Sequence, residues 1–171
     1  MTFVFLGGVA SKWQLVYYFD HTTMPTFIKN RKATFDFEHL DTFEAGAVLI
    51  GSEVKSIRAG KGKLEGSYVM ITHGEAWLTG ASIAPFQVAN TSKNYHPERA
   101  RKLLLSKKQL DRLEVETRAN RLTIVPVSWY SSGGKIKLKI ALARGKKKAD
   151  KREAIKNRDN KREIDRTLKS Q

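Results

Sequence analysis

The chain has 171 residues, a mass of 19.4 kDa and 40% hydrophobic residues, which suits one packed domain plus some unpacked sequence rather than two full domains. Its 32 Lys and Arg against 17 Asp and Glu give a net charge of +15, a self-repulsion that a polyanion would relieve. With no cysteine, disulfides, thiolate zinc sites and a cysteine nucleophile are excluded and a reducing compartment fits; no apolar run approaches the roughly 18 residues of a spanning helix, so no membrane partner is expected.

Residues 1–23 hold one Lys, one Asp and six aromatic residues (Phe3, Phe5, Trp13, Tyr17, Tyr18 and Phe19). They lack the basic start of a signal peptide, and Lys12 interrupts the apolar run. They are read as an extension outside the domain, with Met24 as an alternative start; a packed extra strand or helix is the other reading. Residues 24–144 carry a folding pattern. Gly46–Ile50 predicts a buried strand, and Glu53–Ala59 a short helix closed by Gly60. Ser67–Ile71 and Glu75–Thr79 flank Thr72-His73-Gly74 and predict a hairpin. Pro97 suits the first turn of a helix, and Leu103, Leu104, Leu110 and Leu113 supply an apolar stripe, so a basic helix is expected over His96–Glu116.

Leu122–Tyr130 is rich in β-branched and aromatic residues, with Pro126 signalling an edge or a bend. After the turn Ser131-Ser132-Gly133-Gly134, Lys135–Leu142 alternates, with Ile136, Leu138, Ile140 and Leu142 on one face and Lys135, Lys137 and Lys139 on the other. Period two with lysine outward predicts a sheet with one wet, cationic face. Gly145–Gln171 has seven Lys and four Arg against three Asp and two Glu, and few apolar residues. It is read as a basic tail, disordered alone and helical on a negative surface. The expected fold is mainly β with added α: a small antiparallel barrel or curved sheet.

No motif points to catalysis. His21, His39, His73 and His96 show no metal-ligand spacing, and Gly60-Lys61-Gly62-Lys63 lacks the spacing and the Ser/Thr of a phosphate loop. Carboxylates such as Asp36, Glu38, Asp41, Glu44, Glu53 and Glu65 are not paired by sequence. No enzyme activity, metal or cofactor is expected. Polyanion binding has four basic clusters behind it: 29–32, 55–63, 99–108 and 146–166. Phe43, Tyr68, Trp77, Trp129 and Tyr130 are available to stack on bases, although core packing is the better reading for strand aromatics. Composition therefore gives a basic nucleic-acid-binding β-domain and does not choose between RNA and DNA.

Several strings, in one order over residues 28–170, sharpen that choice: Asn30-Arg31-Lys32-Ala33, Phe43-Glu44-Ala45-Gly46, Leu49-Ile50-Gly51-Ser52-Glu53-Val54-Lys55-Ser56-Ile57-Arg58-Ala59-Gly60, Ser67-Tyr68-Val69, Asn90, Pro97-Glu98-Arg99-Ala100-Arg101-Lys102-Leu103-Leu104-Leu105, and Gly145-Lys146-Lys147-Lys148-Ala149-Asp150-Lys151-Arg152. Together they resemble the small protein B family, the SsrA-binding proteins of bacterial trans-translation. The resemblance implies an OB-type barrel with two to three helices that binds the tRNA-like domain of tmRNA. It implies delivery to stalled ribosomes, where the tail lies in the empty mRNA channel of the small subunit, on its RNA. It implies a cytoplasmic protein, and a monomer is the default for a ribosomal site.

By position, the resemblance assigns RNA binding to Lys32, Glu44, Lys55, Arg58, Asn90, Arg99, Arg101, Lys102 and Leu104. Glu44 is the surprise, because an acid on an RNA face must read a base edge, hold a cation or pair within the fold. Lys146, Lys147, Lys148, Asp150, Lys151 and Arg152 match the ribosome-active tail motif, with Leu168 as an apolar anchor. Departures are Ser106, where some relatives place Asn, Asn160, where some carry an aromatic, and Thr167-Leu168, where some have Ile-Met. The rival reading is a ribosomal or ribosome-assembly protein with a similar barrel; an RNA-modifying enzyme would need clustered carboxylates and a divalent metal.

Overall fold

The computed structural model describes residues 25–87 and 94–147, together with Asp150, Arg152, Asn160, Arg166 and Thr167. The reading of residues 1–23 as an extension therefore lies outside the described residues, as do Asn90, Lys148, Lys151 and Leu168. Among the described residues nine strands and three helices follow in the order β1 (Thr26–Lys29), α1 (Arg31–Asp36), β2 (Phe37–Ala47), α2 (Gly51–Arg58), β3 (Gly62–Lys63), β4 (Tyr68–Thr72), β5 (Glu75–Thr79), β6 (Ser82–Ile83), β7 (Arg101–Leu104), α3 (Lys107–Asn120), β8 (Thr123–Ser132) and β9 (Lys135–Gly145).

Seven strands form one antiparallel sheet in the order β1-β8-β4-β5-β7-β2-β9. Pairing of β8 with β9, from Thr123↔Ala143 to Ser132↔Lys135, closes it into a ring. β8 is long enough to share one edge between two partners, β4 at Ile124 and β1 at Ser128–Tyr130. Pro126 sits at a register shift in β8, which accommodates a residue that cannot donate to the ladder. The β4–β5 and β8–β9 hairpins turn through His73-Gly74 (φ 52° and 70°) and Gly133-Gly134 (φ 55° and 73°). Two successive positive φ angles are the turn whose twist matches the flanking strands.

The inward faces make the core. Alternation sends Phe43 and Ala45 of β2, Leu138 and Ile140 of β9, Ile124 and Trp129 of β8 and Leu78 of β5 inside, joined by Ile57 of α2 and Leu113 of α3. A second, smaller cluster lies on the outside of the ring, where Ala33 of α1 packs on Val125, Ala141 and Ala143. Asn30 fixes that helix. Its buried side chain donates to the Leu64 and Pro126 carbonyls at 2.7 and 2.9 Å, and accepts from the Ala33 amide at 3.0 Å as the helix N-cap.

Two expectations are corrected. The strand expected at 46–50 is the end of a longer one, since β2 runs from Phe37 and stops at Ala47. The helix expected over 96–116 is divided: Arg101–Leu104 is strand β7, laid between β5 and β2, and the helix begins at Lys107. Arg101 and Leu103 point inward while Lys102 and Leu104 point outward, a period of two hidden inside a leucine run. Ser106 starts α3: its hydroxyl accepts from the Gln109 amide at 3.4 Å, and the Gln109 side chain accepts from the Ser106 amide at 3.1 Å.

Asn30→Ala removes a helix cap and two buried hydrogen bonds to the Leu64 and Pro126 carbonyls. It should lower unfolding stability by about 2–4 kcal/mol, measured by denaturant titration. A loss under about 0.5 kcal/mol would show that water replaces the side chain without penalty.

Candidate nucleic-acid interface

The outer face of β1, β8, β9 and β2 is built from two cross-strand rows. Register places Lys29, Ser128, Lys139 and Glu44 side by side in one row, and Thr26, Tyr130, Lys137 and Gly46 in the next. Glu44 and Lys137 form an ion pair at 3.0 Å, and the Tyr130 hydroxyl donates to the same carboxylate. Burial and that carboxylate push the Tyr130 hydroxyl well above its usual pKa, so it stays a donor at any physiological pH. Beside these rows, an open groove of about 780 Å³ runs along α1, lined by Lys29, Arg31, Lys32, Lys139 and Lys146. Lys146 is held there by its ammonium on the Thr34 carbonyl (3.2 Å) and its amide on the Asp36 carbonyl (2.9 Å). Five cations on one groove favour an anionic polymer.

His39 lies close to this groove. Its pKa is lowered, first by burial and then by Lys146 and Lys139, against the opposing pull of a hydrogen bond with the Ala33 backbone. Among the described residues its Nε2 is buried without a partner. The aromatic residues divide: Trp129 and Phe43 are core, Tyr130 and Trp77 are half-buried, and Tyr68 stands exposed.

A second cationic surface gathers at α2. Lys55 and Lys61 place their ammonium groups 5.9 and 5.5 Å from the Phe86 ring centroid, and Arg58 donates to the Gly134 carbonyl at 3.1 Å. Leu104 is 54% exposed and leans on Gly46, where a Cβ would sit 3.3 Å from its own. With Ala47, Leu49, Val54 and Ile136 it lines a small apolar patch edged by Arg58, Lys135 and Lys137.

Arg101 goes inside, and Arg99 is partly buried beside it. Glu53 of α2 is fully buried and accepts from Arg99 at 3.0 and 2.6 Å, from Arg101 at 2.9 Å and from the Ile50 amide at 3.0 Å. Burial alone would raise its pKa, but the Arg99 hydrogen bonds, the Ile50 amide and the Arg101 charge together hold the carboxyl below its usual value. Arg101 has no exposed surface and spends its remaining donors on the carbonyls of Ala81, Arg99 and Pro97. Its assignment as a phosphate contact is therefore corrected: the guanidinium is saturated within the fold. Among the described residues no three histidine or carboxylate side chains come together as a metal site, and no helix is long and apolar enough to cross a membrane.

The family model described as "SmpB protein" matches residues 27–170. The chain belongs to the SmpB family. The SsrA-binding protein of Chlorobaculum tepidum is 49% identical over 140 residues, covering 81% of this chain and 88% of its own. That of Thermosynechococcus vestitus is 46% identical over 141 residues, covering 82% and 93%. A solved structure described as "tmRNA-SmpB: a journey to the center of the bacterial ribosome" superposes with a TM-score of 0.60 at 42% identity, over 74% of this chain and 92% of that one.

Within this SmpB chain the residues singled out from sequence fall into separate places. Lys32 and Lys146 share the α1 groove, Glu44 stands at its margin, and Lys55, Arg58 and Leu104 lie around α2. Lys102 is half-buried and paired with Glu75. Arg99 is about one-third exposed and forks onto Glu53. Of the tail, Lys147 donates its amide to Asp150 at 3.1 Å, and Asp150 and Arg152 are exposed. Sequence reasoning missed Lys29, Arg31 and Lys139 as members of one groove; the alternation of Lys135, Lys137 and Lys139 was the available signal, but only strand register joins them to α1.

Arg101→Ala should cost about 3–5 kcal/mol of stability, because it leaves Glu53 buried beside one partner fewer; urea unfolding measures it, and a loss below about 1 kcal/mol would refute the buried pair. The sign with pH follows from the lowered Glu53 value. Its contribution is complete above the ordinary glutamate value of about 4.5 and drains away as pH falls from there through the folded value. Unfolding free energy should therefore drop on acidification below that point, and more shallowly in Glu53→Gln.

Proposed function

We propose that this chain binds the tRNA-like domain of tmRNA and carries it to stalled ribosomes, where the incomplete protein is tagged for degradation. The observation that carries the reading is a family match over almost the whole chain, including the basic tail, on a fold whose outer face holds a five-cation groove. A rigid cationic surface suits the backbone of a folded RNA, where shape matters more than sequence. The protein supplies recognition and no covalent chemistry; it works in the cytoplasm, as a monomer.

The closed antiparallel ring, with Ile57 of α2 packed into its core, is read as an OB-type barrel. Lys32, Lys146, Lys55, Arg58, Lys102 and Asn90 are proposed polar contacts, with Leu104 in the apolar patch between the cations. The tail from Lys146, with its Lys147, Lys148, Asp150, Lys151 and Arg152 motif and Leu168, is proposed to enter the vacant mRNA channel and report that no message remains. The net charge of +6 over residues 145–171 supports that use.

The direct test is binding to the tRNA-like domain at near-physiological salt with excess total tRNA as competitor. Selective binding is expected; binding that collapses with competitor would put a general ribosomal RNA binder ahead. Lys32→Gln should weaken binding and lower the salt slope by about one. Truncation after Lys147, which keeps Lys146 in the groove, should leave tRNA-like-domain affinity within about threefold and abolish tagging on ribosomes, because β9 ends at Gly145 and the folded ring is complete by then. Equal loss of both would sink the division of labour between ring and tail.

A further inference from the structure

The apolar patch around Leu104 is an open groove of about 500 Å³ beside the β8–β9 turn. Leu49, Val54 and Ile136 are half-buried on its walls, Leu104 is exposed, and Arg58 and Lys135 stand at its rim. The chain enters the described fold next to it. The Ser131 amide donates to the Pro25 carbonyl at 3.1 Å, and Ser131 is the cross-strand partner of Ile136. Two strand spacings, about 10 Å, therefore separate Pro25 from a wall of the groove.

The sequence ahead of Pro25 has the chemistry to fill that groove. Leu15-Val16-Tyr17-Tyr18-Phe19 is a run of five apolar and aromatic residues, and Asp20 follows it. Five residues separate Phe19 from Pro25, so the connection spans up to about 20 Å when extended. One Lys and one Asp leave residues 1–23 without net charge, so a cationic rim does not repel them, and Asp20 has Arg58 and Lys135 to meet. The family model begins at residue 27, so family membership accounts for the groove and not for this segment. We propose that Leu15–Phe19 folds back into the groove beside Leu104 and covers the apolar patch that RNA would otherwise touch. So short a connection sets an effective concentration on the order of mM, and individually weak contacts suffice. RNA and segment then exclude each other: only molecules with the groove open are competent, and RNA affinity falls by that fraction. The competition rests on the tmRNA reading above and on Leu104 as an RNA contact; the docking itself does not.

The chain has no cysteine, so Leu104→Cys in the full 171-residue protein carries a single thiol in the groove. Its rate of reaction with an aromatic disulfide reagent should rise about tenfold when Tyr17→Ser, Tyr18→Ser and Phe19→Ser are added, because the thiol reacts only while uncovered. Lys135→Cys at the rim is the second reporter, should Leu104→Cys itself loosen the segment. Equal rates with and without the three serine substitutions at both positions overturn the proposal. A difference that grows with protein concentration assigns the cover to a second copy of the chain and overturns the fold-back. In the otherwise unaltered protein, the three serine substitutions should tighten binding to the tRNA-like domain by the same factor of about ten. A covered thiol with unchanged RNA affinity keeps the docking and removes Leu104 from the RNA contacts. A protein that shows no preference for the tRNA-like domain over bulk tRNA removes the tmRNA reading, while the docking still stands or falls on the thiol rates.

Discussion

The buried carboxylate of Glu53 organises much of what surrounds it. Two ions taken out of water cost several kcal/mol each, and their attraction repays this only when every remaining donor and acceptor is satisfied. Here they are satisfied: Glu53 takes Arg99, Arg101 and the Ile50 amide, and Arg101 spends its other donors on three carbonyls. Those carbonyls belong to Ala81, Pro97 and Arg99, so the pair ties chain on both sides of the 84–96 connection to α2. It also sets register. With Arg101 inward, Lys102 and Leu104 must face out; a slip of one residue would bury the lysine and expose the arginine. A buried pair thereby decides which side chains of β7 reach solvent.

The same logic of register builds the outer face. Neighbouring strands lie about 4.8 Å apart, so Lys29 and Lys139, two strands apart in one row, have Cα atoms about 10 Å from each other. That is about one Debye length at 0.1 M salt, and in water their repulsion is only about 0.4 kcal/mol. The sheet can hold these cations without strain, and an RNA backbone can still gain from all of them together. Helix α1 adds Arg31 and Lys32 because Ala33 is small enough to sit on Ala141 and Ala143, leaving its neighbours at the surface.

Much of this was legible in the sequence, for physical reasons that can be named. The β4–β5 and β8–β9 hairpins announced themselves through glycine turns and alternation, and α2 through its closing glycine. Strand β7 did not. Four residues, Arg-Lys-Leu-Leu, carry too little periodicity to compete with a leucine stripe and a leading proline, and what makes them a strand is a hydrogen-bonding slot between β5 and β2. Strand β2 was clipped because its first half alternates Glu38, Leu40 and Thr42 outward, with Leu40 46% exposed, and so shows no apolar face. The family strings located Glu44 and Arg101 but not their opposite fates. One is 46% exposed in its side chain and the other is sealed, a difference that only the partners across the sheet create.

An acid on a basic face becomes intelligible once its partners are counted. Free lysines on a strand each carry about 2 kcal/mol of rotamer entropy, which binding would have to overcome. Glu44 grips Lys137 and Tyr130 before any ligand arrives, and so settles part of that ordering within the fold. It gives up some net attraction for polyanions in general, since one positive charge is neutralised. What it leaves is a surface of two parts: a row of cations along α1, and beside it a fixed arrangement of donor, acceptor and ring. At a net charge of +15 the chain attracts polyanions in general, and Glu44 takes one lysine out of that attraction while fixing a hydroxyl and a ring at the edge of the groove.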